Sequence, residues 1–487
     1  MSSDAPRSVR SVSSDCEIPD FENPEHSGGV EAGISQRSAS ARGTMIERVF
    51  APKESSIVWF ASDKCAQYSG PDGQDNRRQL TLRGPDEGGT MTEAVPGGEI
   101  HSASEDVGGR NAALDYLRSF GILLVLLHHA VLAYVTFGFL NPMDPMQTFS
   151  PIVDGAKWVG FDRIALLNDT FFMALLFFVS GLFVWKSLQR KGVLRFLCSR
   201  IVRLGIPFVI GLLAIIPVAF YPTMLENSLV YGVSKSFGTF WLDYVREGFN
   251  PPGPFWFILL LLAFDILAAL WYGTLRVIGL QSMRRSNPIL DNAPVFAIVL
   301  IGLSFAAYLP MRVAFAPSQW AGIGPFRMEI VRVFVYLLYF AAGVAIGARG
   351  LERSAFRADG RFARYWWAWL LGGAASYGAL AWVYSSGPTS PWVKYVFLLE
   401  MGLVVLGLTA FFLKVFRRPN RALDSLSRSS YGMYLIHYLV IVWLQYAVLQ
   451  SSMHLGWKFA IVFFGGLAIC WGGVATLRRI RAVRSVI

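Results

Sequence analysis

From Leu114 onward the chain is a succession of apolar runs, each about as long as a bilayer is thick, and that repetition leaves few folds open. A helix needs about 20 apolar residues to cross the hydrocarbon core. Ten segments qualify, at roughly 117–140, 164–187, 202–221, 254–275, 294–315, 330–348, 365–384, 395–416, 431–449 and 457–477. A backbone in lipid has no water to bond, so each segment must satisfy its own hydrogen bonds as a helix. The expected fold class is all-α: a polytopic membrane helix bundle of about ten transmembrane helices. Trp256, Trp366, Trp367, Trp392 and Trp457 fall at segment ends, where aromatic rings anchor at the interface.

Charge divides the chain in two. Residues 1–109 carry 10 Lys/Arg and 18 Asp/Glu, whereas residues 110–487 carry 34 and 15. The first part, rich in Ser, Gly, Pro and acid, cannot bury enough apolar surface to offset its ordering entropy. It is expected to be a disordered polar and acidic tail, with 110–487 as the transmembrane domain. Residues 1–30 lack the apolar stretch of a secretory signal, so insertion is expected to rely on the first helix. Met45 and Met91 are alternative starts.

The basic residues of the second part sit in short runs between apolar segments, which excludes nucleic acid as a partner and makes the lipid bilayer the expected one. Lys186, Arg190, Lys191, Arg195, Arg200 and Arg203 follow the second segment with no acid among them. Basic runs also follow the fourth, sixth, eighth and tenth segments. Such loops stay cytoplasmic, which places both termini there. Four scattered cysteines, Cys16, Cys65, Cys198 and Cys470, form no CxxC pair, so neither a disulfide framework nor a metal site is expected.

Ionisable groups inside a bilayer are costly and therefore candidates for function. The intramembrane set is His128, His129, Asp265, Glu400 and His437, joined at the cytoplasmic edge by Asp115 and Arg118. Arg118 and His129 are eleven residues apart, about three turns, so they share one helix face with a rise of about 16 Å. That rise sets His129 near mid-bilayer, with Asp115 on the same stripe and His128 turned away by about 80–100°.

Four stretches make this sequence resemble the acyltransferase-3 family, whose members O-acylate sugars and other hydroxyl acceptors. Leu114-Asp-Tyr-Leu-Arg118 through His129 matches its Arg-x10-His pattern. Arg200-Ile-Val-Arg203-Leu-Gly-Ile-Pro207 is similar to its Arg-x-x-Arg…Pro loop. Gly253-Pro-Phe-Trp256-Phe-Ile-Leu is similar to its Gly-x-x-Trp-Phe-Leu helix opening. Ser430-Tyr431-Gly432-Met-Tyr434-Leu-Ile-His437 is close to its Ser-Tyr-Gly-x-Tyr-Leu-x-His signature. The basic second loop looks most like the subgroup that decorates periplasmic glucans.

The resemblance implies a bacterial inner-membrane enzyme that moves an acetyl, succinyl or similar group from a cytoplasmic acyl-CoA to a hydroxyl of a glycan or other acceptor. It needs no cofactor, the acyl-CoA being a co-substrate. His129 would be the catalytic base, working with Arg118, and an acyl-His intermediate is the alternative route. Arg200, Arg203, Trp256, Tyr434 and His437 would bind substrate or acyl-CoA, since guanidinium forks suit phosphate. Asp115, His128, Asp265 and Glu400 would support them. No hydrolase-like domain follows the tenth segment, so a transfer outside the membrane would need an extracytoplasmic transferase partner or a substrate reaching the bilayer interior.

Plainer roles stand beside each of these. His129 and His437 could knit helices together, the arginines could be positive-inside anchors, and Trp256 an interfacial anchor. A proton-coupled transporter or flippase of a glycan or lipid precursor would also bury Asp265, Glu400 and His437, although no paired, broken-helix halves are visible. A sensor or scaffold acting through the tail is the third reading.

Overall fold

The computed structural model describes residues 111–141, 148–279, 287–317, 319–387 and 390–480. The tail read as disordered, 1–109, lies outside the described residues. Ten long helices carry the chain: α1 (Ala112–Leu132), α2 (Val159–Lys191), α3 (the run Val193–Tyr231), α4 (Trp256–Val277), α5 (Ala293–Ala314), α6 (Val333–Arg349), α7 (Trp366–Ser386), α8 (Val393–Val415), α9 (Arg421–Leu449) and α10 (the run Leu455–Leu477). A two-stranded antiparallel hairpin, β1 (Trp320–Ala321) and β2 (Met328–Glu329), joins α5 to α6. Among the described residues nine of these helices are long and apolar enough to span a bilayer; α7 falls short because four tryptophans, two tyrosines and three glycines dilute its hydropathy.

Contacts between loops nevertheless set α7 antiparallel against α8. Arg417, just past α8, donates to the Ala358 carbonyl, which precedes α7. The pair therefore leaves one end of the bundle and returns to it. Leu370 packs on Gly407 and Val404 on Gly373, as antiparallel neighbours do. At the same end, Arg349 after α6 pairs with Asp291 before α5 at 3.0 Å, and Tyr116 of α1 donates to Asp424 of α9 at 2.8 Å. Arg478 after α10 donates to the Arg428 carbonyl. The opposite end is tied by Lys458 to Asp154 at 2.8 Å and by the Val153 amide to the Glu226 carboxylate at 3.2 Å. Every basic connection read from the sequence and covered by these contacts lies at the first end.

Two local features hold α2, α3 and α6 in place. Gly181 of α2 and Gly343 and Gly347 of α6 meet backbone to backbone: a Cβ on Gly343 would sit 2.1 Å from the Phe178 carbonyl oxygen. Small residues four apart permit this approach. In α3, Pro207, Pro217 and Pro222 each deprive the carbonyl four residues earlier of its helical donor. π-turns at Ile201–Gly205 and Gly211–Ile215 precede the first two prolines. Aromatic side chains fill all three gaps. Tyr431 donates to Arg203, Trp241 to Leu213 at 3.0 Å and Trp443 to Val218 at 2.9 Å.

The first helix differs from expectation. It was read as 117–140 but runs Ala112–Leu132, so His129 lies in its last turn rather than at its middle. The apolar residues beyond it, Tyr134 and Val135, are fully buried in a connection that folds over the helix end. The Asp154 amide donates to the Ala133 carbonyl at 2.9 Å and the Trp158 amide to Tyr134 at 3.1 Å. Non-helical backbone is tolerated at that depth because protein surrounds it.

Candidate functional site

Helices α1 and α9 run parallel and in register. Tyr116 and the Asp424 it bonds are 308 positions apart, as are His129 and His437. Gln445, itself buried, donates to the His129 carbonyl at 2.8 Å and closes the far end of the pairing. Between these ties the half-buried His129 ring faces into the bundle, 5.2 Å from the His437 ring and 4.9 Å from that of Tyr438.

His437 is completely buried, and its Nδ1 lies 2.5 Å from the Tyr434 carbonyl oxygen. A carbonyl can only accept, so Nδ1 carries the proton and the neutral ring presents a lone pair at Nε2. That Nε2 is shielded from solvent and has no hydrogen-bond partner among the described residues. Tyr434 donates its hydroxyl to the Pro254 carbonyl and so fastens Gly253–Phe255 to α9. Gly253 sits at φ +52°, where an L side chain is strained, and a Cβ there would press on the end of Ile216 at 2.4 Å.

Toward the basic end lies an arginine layer. Arg118 pairs with Asp115 one turn earlier at 3.3 Å. Arg200 pairs through Nε with Asp265 at 3.1 Å, which supplies the partner that the sequence left unidentified. Arg203 is exposed, with its guanidinium 5.8 Å from the centre of the Tyr431 ring. Tyr431 precedes His437 by six residues, so Arg203 lies about 9 Å along α9 from the histidine pair, and Arg118 farther out, about 16 Å along α1 from His129.

Trp256 does not belong to that layer. Asp265 follows it by nine residues, a rise of about 14 Å, which sets Trp256 at the histidine level. There its ring is 6.1 Å from Tyr336 and 5.8 Å from Trp320. Glu400 is fully buried and neighbours Thr170 and Tyr339.

His128 faces the other way, its ring stacked on Phe172 at 5.1 Å. Beyond it is a group that the sequence reading did not single out. Arg332 donates to Asp169 at 2.7 Å and forms an ion pair with Glu329 at 2.9 Å, within electrostatic reach of His128. Asp169 lies inside the second apolar segment, so its charge was a legible signal. Arg332 falls at the start of the sixth apolar segment and was legible in the same way, whereas Glu329, one position before that segment, resembled an ordinary loop charge until the hairpin brought it inward. Burial raises the Glu329 carboxyl to about 7 against the opposing pull of Arg332. Tyr438 and Gln445 were also missed, since neither is charged and both look like ordinary helix residues.

The chain was compared with protein families, curated proteins and solved structures. A family model, acyltransferase family 3, described as an acyltransferase domain, matches residues 111–475. Neither the curated proteins nor the solved structures produced a match. The matched range takes in nine helices whole, all but the last two residues of α10, and every candidate residue described above; the chain belongs to the acyltransferase-3 family and is a membrane acyltransferase.

Proposed function

We propose that the protein is an inner-membrane O-acyltransferase that takes an acyl group from acyl-CoA at the basic end of the bundle and places it on a hydroxyl, with a glycan as the acceptor class. The observation that carries this reading is the inward face of His129, set against His437 and Tyr438 and about three turns along α1 from Arg118. The basic end is the cytoplasmic one, and both termini lie there. Exposed Arg203, with Arg118 and Arg200 beside their carboxylates, offers guanidinium donors where the phosphates of a CoA would arrive.

In the transfer, the acceptor O–H breaks as its proton passes to a ring nitrogen of neutral His129. The oxygen bonds to the thioester carbonyl carbon, and the tetrahedral intermediate collapses with cleavage of the C–S bond. The CoA thiolate leaves with the proton returned by His129. No resident cofactor is required.

The test is CoA release by the purified protein in proteoliposomes, with acetyl- or succinyl-CoA supplied to one face at a time. Release is expected only from the face bearing the basic loops, and acceleration by a hydroxyl acceptor is expected. A protein inert toward both thioesters from either face would contradict the reading.

A further inference from the structure

Asp169 is an unexpected residue ten positions into a helix apolar enough to cross a bilayer, because its side chain keeps 39% of its surface open. A charge turned toward lipid is strongly disfavoured, so an open carboxylate here favours water over lipid beside this face of α2. Its surroundings have a consistent chemistry. Arg332, only 9% exposed, holds Asp169 and Glu329 together and adds a bond to the Asp169 carbonyl at 3.0 Å. The Trp256 ring meets that of Trp320 at 88° and lies beside Tyr336. Trp320, on β1 and 43% exposed, stands at the rim, at the end of the bundle away from the basic loops. On the inner side, His128 Nδ1 is shielded from solvent and without a hydrogen-bond partner, and the next residue is His129.

We propose that these residues line the acceptor site: a water-filled vestibule, opening away from the basic loops, that binds a neutral sugar chain and delivers one hydroxyl to His129. This rests on the acyl-transfer reading above. Carboxylates accept from sugar hydroxyls and a guanidinium donates to them, whereas indole faces stack on the C–H faces of a pyranose ring. Two carboxylates against one guanidinium leave the vestibule without net positive charge, so it disfavours anionic acceptors and the phosphates of CoA alike. Donor and acceptor would then approach the histidine pair from opposite ends. An ion triad that merely stapled α2 to α6 would be sealed, and the open carboxylate and exposed Trp320 distinguish this group from such a staple.

The experiment measures binding of cellotriose and maltotriose to the full chain in nanodiscs by saturation-transfer NMR, with trigalacturonate as the anionic comparator. CoA release from acetyl-CoA by the wild-type protein is recorded separately. A neutral trisaccharide is expected to bind, with saturation reaching it from aromatic protons. Trp320→Ala should weaken binding about tenfold and Trp320→Phe should restore most of it, as loss and return of an aromatic anchor do. Asp169→Asn should weaken it too, and trigalacturonate should bind least. Absence of neutral-sugar binding, binding indifferent to Trp320→Ala and Asp169→Asn, or preference for trigalacturonate would overturn the proposal. Wild-type protein that binds sugar through Trp320 but releases no CoA would remove the transfer reading and leave the vestibule. Release of CoA without sugar binding would do the reverse.

Discussion

His437 offers the clearest separation of roles among the residues around His129. Its Nδ1 is committed to the Tyr434 carbonyl, so only Nε2 can serve its neighbour, and the rings are too close for a third group between them. We expect His437→Ala to lower kcat by about tenfold to a hundredfold while leaving the KM for acyl-CoA unchanged, the signature of a group that positions the base. His437→Gln, which keeps an acceptor, should recover part of the loss; an effect confined to KM would assign the residue to donor binding instead. Asp265 makes a different kind of claim. It is 1% exposed and paired with Arg200, so Asp265→Ala strands a guanidinium beside the apolar core. Breaking a buried pair this way costs about 3 kcal/mol, and a lower thermal midpoint in detergent would register it. The double variant with Arg200→Leu should regain stability without regaining activity. Both residues were visible in the sequence as charges inside apolar runs. Their partners were not, because a pairing between α3 and α4 depends on packing that no local pattern encodes.

Helix α3 shows what an element-scale reading can and cannot supply. Its three prolines are plain in the sequence, and each must orphan a carbonyl. Which side chains answer them depends on neighbours far along the chain: Tyr431 and Trp443 from α9, and Trp241 from the short helix Phe237–Arg246. Trp443→Phe should therefore destabilise by about 1–3 kcal/mol, the cost of a carbonyl left without a donor in a membrane-spanning helix. Pro222→Ala in the same background should cancel much of that loss, because it returns an N–H to Val218; equal losses in both backgrounds would show that the indole acts through packing alone. Helix α1 teaches the complementary lesson. Its apolar run continues past Leu132, and hydropathy extended the span with it, yet the excess belongs to a buried connection pinned through Ala133 and Tyr134. Hydrophobicity reports removal from water, and protein removes a residue from water as well as lipid does.

At the scale of the whole molecule, the order of apolar runs made the bundle legible, and loop chemistry made its ends distinguishable. Helix α7 is the ambiguous member, and the bond from Arg417 to Ala358 sets it antiparallel to α8, which is expected to carry it across the bilayer as well. A cysteine at Ser390 and one at Asp359 should accordingly react with impermeant maleimide from opposite faces of sealed vesicles, and reaction from the same face would remove α7 from the membrane. The meeting of two substrates inside the bundle was less legible. Arg118 and His129 share a stripe by helical geometry, but the facing His437, Tyr438 and Gln445 come from the ninth helix. All of this arrangement converges on the first helix's inward imidazole, so the decisive measurement compares His129→Ala with His128→Ala for acceptor-dependent CoA release in proteoliposomes, at matched insertion. His129→Ala should lose about a hundredfold or more, the contribution expected of a general base, while His128→Ala keeps most of the rate. Wild-type turnover in well-inserted His129→Ala protein would contradict the account.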